Sequence, residues 1–81
     1  MVKITITYCT VWHYTDRAVS LLNDLLKRFE AEIENVTLIP LDGGRFEVLV
    51  NDELVYSKLQ TGRHAEPGEV VCLMEKYLQK Q

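Results

Sequence analysis

Met1-Val2-Lys3-Ile4-Thr5-Ile6-Thr7-Tyr8-Cys9-Thr10-Val11-Trp12-His13-Tyr14-Thr15-Asp16 opens the chain, and its hydrophobic period changes partway through. Val2, Ile4, Ile6 and Tyr8 alternate with Lys3, Thr5 and Thr7, the period of a β-strand with one buried face. Beyond Thr15 the apolar residues fall on a helical stripe: Ala18, Leu22, Leu25, Phe29 and Ile33, with Val19 and Leu26 beside it. Thr15 is the expected N-cap, and Asp16 complements the positive first turn. Cys9 therefore lies where a strand hands over to a helix. Unpaired N–H groups at a helix start favour thiolate over thiol, so that position can make a cysteine reactive.

Further along, Val36-Thr37-Leu38-Ile39 predicts a short strand stopped by Pro40, and Asp42-Gly43-Gly44 a turn. Arg45 to Val50 puts Phe46, Val48 and Val50 on one face of a third strand, leaving Arg45 and Glu47 on a solvated one. Asn51-Asp52 fits a tight hairpin turn into Glu53 to Lys58, with Leu54 and Tyr56 inward. Leu59 to Glu66 reads as a loop. Pro67 then opens a helix whose stripe is Val70, Leu73, Met74, Tyr77 and Leu78. The order β-α-β-β-β-α implies a right-handed parallel βαβ unit followed by a hairpin. The expected fold is an α/β (α+β) two-layer sandwich: a four-stranded mixed sheet with both helices on one face, the minimal thioredoxin-like core.

The 81 residues suit a single domain, 1–81. A net charge of −3, with nine Lys and Arg scattered along the chain, argues against nucleic acid as a partner. No apolar run approaches the roughly 20 residues of a membrane span, and the N-terminus enters a strand directly rather than reading as a signal peptide. Two cysteines are too few for a disulfide scaffold, so a cytoplasmic location is expected.

Four fragments carry a resemblance. Tyr8-Cys9-Thr10 with Arg17-Ala18, Gly43-Gly44-Arg45-Phe46-Glu47-Val48, Leu54-Val55-Tyr56-Ser57-Lys58 and Gly62-Arg63-His64-Ala65-Glu66 together resemble the selenoprotein W-like (Rdx) family, from Val2 to about Tyr77. His64 and Ala65 depart from the family's Gly-Arg-aromatic-Pro-Glu loop. The resemblance implies a thioredoxin-like fold and glutathione-linked thiol redox chemistry, with a role in cell redox homeostasis. That family carries Cys-x-x-Cys or Cys-x-x-selenocysteine after its first strand; Cys9 matches the first position and Trp12 the second. This chain keeps one half of the redox pair.

A dithiol reductase attacks a substrate disulfide with one thiolate and resolves the mixed disulfide with its neighbour. With Trp12 in the second position, Cys9 acts alone as nucleophile and an outside thiol, glutathione as co-substrate, must resolve it. Small thiols and disulfide-containing proteins are the expected partners. Thr10, Val11, His13, Tyr14, Gly43 and Gly44 are the expected substrate-binding neighbours: His13 would support the thiolate, Asp16 would oppose it, and the glycine turn approaches the Cys9 loop. The alternative is a non-catalytic binding module that meets a partner protein through Val11, Trp12 and Tyr14, since aromatics anchor interfaces. Cys9 with His13 alone is a poor zinc set, so no metal is expected. Cys72 lies outside the core stripe of its helix and reads as a spectator thiol.

Overall fold

The computed structural model describes residues 1–12 and 14–80; His13, expected beside the thiol, lies outside the described residues. Strand β1 (Val2–Cys9) leads to helix α1 (Thr15–Phe29), a 3₁₀ turn at Glu30–Glu32 and strand β2 (Ile33–Leu41). The hairpin β3 (Phe46–Val50) and β4 (Glu53–Ser57) follows, then a one-turn helix α2 (Lys58–Thr61) and helix α3 (Glu69–Gln79). The sheet order is β2-β1-β3-β4, with β1 parallel to β2 and antiparallel to β3, and β3 antiparallel to β4. Helix α1 packs on β1 and β2, α3 packs on β4, and the two helices touch. This is the expected thioredoxin-like sandwich.

The core forms between that helix layer and one face of the sheet. Ile4, Ile6, Val48 and Val50 are fully buried against Ala18, Leu25 and Met74. Fully burying an aliphatic side chain of this size stabilises a fold by about 1.5–3 kcal/mol. Arg28 and Glu75 pair across the outer surfaces of α1 and α3. Both side chains are exposed, so that ion pair contributes at most about 1 kcal/mol.

Several expectations are corrected. Ile33 has helical spacing from Phe29, yet α1 stops at Phe29 and Ile33 opens β2 opposite Val2. Pro40 does not end β2; it pairs with Tyr8 inside the strand. Because β2 is a sheet edge, a residue lacking an N–H is tolerated where that side faces outward. Leu54 is exposed rather than inward. Val48 faces Tyr56 and Leu49 faces Leu54, so Val55 is the extra residue of a bulge that turns Leu54 onto the helix-free face. Val19 is likewise exposed. Helix α3 begins at Glu69, two residues after Pro67, with Gly68 as its N-cap in the left-handed region. The expected loop after β4 contains α2, whose first turn is capped by Ser57 Oγ accepting the Gln60 N–H at 3.2 Å.

Candidate thiol site

Pairing on both sides fixes the end of β1 and therefore Cys9. Its N–H donates to the Arg45 carbonyl at 2.8 Å, and it lies beside Leu41 in the parallel register. The next N–H, of Thr10, donates to the Leu41 carbonyl at 3.1 Å, and the Thr10 hydroxyl turns to the same oxygen at 3.4 Å. The chain then bends through a turn instead of entering a helix. Helix α1 begins only at Thr15, and its N-cap is Tyr14, not Thr15, with no side-chain cap bond. The amides that lower the Cys9 thiol are not those of the α1 start.

Other amides take their place. Burial pushes the Cys9 thiol up, but the nearby backbone amides of Gly44, then Val11 and Trp12, pull it down and outweigh that penalty. The thiol is left below the ordinary cysteine range. Hydrogen bonds to the charged form are one of the three ways a protein moves a pKa. The opposing charge is Asp42, not the expected Asp16. Asp42 precedes the glycine turn and could not be assigned to Cys9 from sequence spacing alone.

Gly44 holds this arrangement together. Its φ of +71° lies in the left-handed region, and a Cβ there would stand 3.0 Å from Trp12 Cζ3. Only glycine places an N–H on the sulfur while the indole lies over the same residue. Gly43 shares the positive φ but has nothing within 4 Å of a Cβ position, so it shapes the turn without touching the Cys9 loop there. Cys9 is 1% exposed, whereas Trp12 is 62% and Val11 61% exposed. The thiol is lowered in pKa but buried, and the loop that follows it exposes the apolar Val11 and Trp12. Ile39 and Leu41, at the end of the edge strand, are also exposed.

Tyr14 anchors the far side of the loop. It is buried, so it does not share the partner-facing surface expected for it with Val11 and Trp12; the Trp12 ring stands edge-on at 6.4 Å, the His64 ring edge-on at 4.4 Å and Lys58 Nζ 5.8 Å from its ring centroid. His64 also meets Phe46 at 6.0 Å. Burial, with Arg17 and then Lys58 nearby, holds the His64 pKa below its ordinary value, so this ring is neutral at neutral pH. Sequence pattern places His64 in a loop and says nothing of these aromatic contacts, which depend on long-range folding. Glu47, expected on a solvated face, instead accepts the Ser57 hydroxyl. Cys72 is exposed on α3, and both cysteines are free. Among the described residues, no group of three or more His, Cys, Asp or Glu side chains could hold a metal ion. No helix among them is long and apolar enough to cross a membrane.

Two solved structures share this architecture closely. A selenoprotein W-related protein from Vibrio cholerae superposes with a TM-score of 0.87 at 32% identity, covering 94% of this chain and 95% of its own. A Bordetella parapertussis protein gives a TM-score of 0.88 at 26% identity, covering 94% and 96% respectively. Comparison with curated proteins gives no significant match. The Rdx family profile matches residues 3–76, which span the strand-end cysteine, its glycine partner and most of α3. With its strand order, its cysteine at the end of β1 and this match, the chain belongs to the selenoprotein W-related Rdx family.

Proposed function

We propose that the chain is a thiol redox protein that uses Cys9 as its single nucleophile and glutathione as its second thiol. The Cys9 thiolate attacks one sulfur of a substrate disulfide; a mixed disulfide forms and the other sulfur leaves as thiolate. A glutathione thiolate then attacks the mixed disulfide, regenerating the Cys9 thiolate and carrying the bound group away as a disulfide. Trp12, in the second redox position, supplies no thiol, so the resolving step is intermolecular. The observation that carries this reading is the position of Cys9 at the end of β1, where the nearby amides of Gly44, Val11 and Trp12 hold its thiol below its ordinary value. The need for an outside thiol fits a reducing, cytoplasmic setting.

The second reading, a binding module without catalysis, is favoured by the burial of that same sulfur and the exposure of Val11 and Trp12 in the loop after it. Glutathione-dependent reduction of a small mixed disulfide separates the two. Wild-type protein turns over, accumulates one glutathione adduct on Cys9 by mass spectrometry, and Cys9→Ser loses both signals. If oxidised glutathione leaves Cys9 unmodified while Cys72 is labelled, the redox reading fails and the binding module stands.

A further inference from the structure

At the edge of the helix layer, α1 and the segment from His64 to Val71 enclose an open cleft of about 380 Å³. That volume lies within the range of ordinary ligand sites. Its floor is apolar, built from buried Phe46 and Val70 with half-buried Leu21 and Val71. Its mouth is charged. Asp16 and Asp24 stand with Ser20 along one row of α1, because residues four apart stack on a helix, and Glu66 faces them from the other wall. Arg17 is the single cation among the lining residues. None of these four charged side chains makes an ion pair among the described residues. By contrast, the nearby Glu69 is held by Arg63 in a two-pronged pair.

We propose that this cleft docks a polypeptide segment in which apolar side chains are flanked by lysine or arginine. Three carboxylates against one guanidinium favour a cationic occupant, while the floor requires apolar contact. Asp16 and Asp24 are separated by about 12 Å at the helical rise of 1.5 Å per residue. An extended chain covers that distance in three to four residues. A short peptide therefore sets one basic group near each aspartate with its apolar residues over the floor between them. The same charge balance disfavours an anionic tripeptide such as glutathione in this cleft. This docking is independent of the chemistry at Cys9. His64 nevertheless links the two places, because it lines the cleft and packs edge-on against Tyr14 of the Cys9 loop.

The test is a titration of the ¹⁵N-labelled full chain with acetyl-Lys-Leu-Leu-Lys-amide, followed by amide shifts at low and high salt. The expected shifts centre on Ser20, Leu21, Ala65 and Val71, and binding weakens as salt rises. The double variant Asp16→Asn/Asp24→Asn, both exposed positions, weakens it about three- to tenfold, as two exposed charge pairs would. The peptides with Glu in place of Lys, or Ser in place of Leu, bind more weakly. Equal binding of either control peptide overturns the proposal, as do shifts confined to other surfaces or no binding at all. If 1,5-diaminopentane reproduces the shifts with equal affinity, the site takes small organic cations and the polypeptide assignment is overturned.

Discussion

The two cysteines divide between them the properties that a reactive thiol combines. Cys72 is exposed on α3, where helical N–H groups are committed to carbonyls one turn back; its own N–H donates to the Gly68 carbonyl at 3.0 Å. Cys9 is the last paired residue of β1, and the turn that follows it, before the helix begins, has amides not committed to a helix. Nearby amides lower the pKa of that thiol, yet it is buried. Acidity and access are therefore set separately here. The first comes from the surrounding amides, the second from the packing that buries Cys9.

The sharpest way to break the contrast is at the glycine. Gly44→Ala forces a side chain into the left-handed region and against Trp12, at an expected cost of about 1–3 kcal/mol. Denaturant unfolding measures the loss, and the pH profile of Cys9 alkylation shifts upward as the Gly44 donor moves away. A stability equal to wild type would show that Gly44 is not under constraint. Next comes the cover. Trp12→Ala should speed native-state alkylation of Cys9 about tenfold, equivalent to removing roughly 1.4 kcal/mol from the barrier, while Cys72 labelling stays constant. Trp12→Cys should go further: with oxidised glutathione the introduced thiol closes a disulfide onto Cys9, converting the chemistry to dithiol exchange. Unchanged labelling of Cys9 in Trp12→Ala would mean that something other than the indole controls access.

Smaller effects lie in the loop that backs the site. Glu69 is held down to about 2 by the Arg63 hydrogen bonds, with help from the Glu66 N–H. A depressed carboxylate contributes stability that is complete above its unfolded value and is lost as pH falls through the folded one. Thermal unfolding should therefore show an acid limb between about pH 4.5 and 2, and Glu69→Gln should flatten it. His64 contributes the mildest dependence. Its folded pKa lies below the ordinary 6.5, so the unfolded chain binds the proton first and stability falls as pH drops below 6.5, levelling once the folded ring is protonated. His64→Phe keeps the aromatic contact with Tyr14 and should remove that dependence. If the variant retains the same slope near pH 6, another group is responsible.

Much of this is legible in the order of residues. Alternation in Val2 to Tyr8 and the stripe through Ala18, Leu25 and Phe29 give strand, helix and the position of Cys9, because local periodicity is enforced by burial of one face. The expected thioredoxin-like order also brings the turn before the third strand near the Cys9 loop. Local pattern fails where pairing partners override it. Ile33 has helical spacing but is taken by Val2, Pro40 is carried by an edge position, and a bulge at Val55 reverses Leu54. A short helix such as α2 leaves too little periodicity to be read.

Chain order alone settles that Cys9 closes an alternating stretch and that Trp12, not a second cysteine, follows three residues later. Both facts survive any packing. Folding settles the rest: which amides reach that sulfur, that Asp42 rather than Asp16 opposes its ionisation, and that the indole lies over Gly44. The contacts made by Asp42 and Gly44 join segments far apart in the chain. Their geometry exists only once the sheet has brought β1 and the start of β3 side by side.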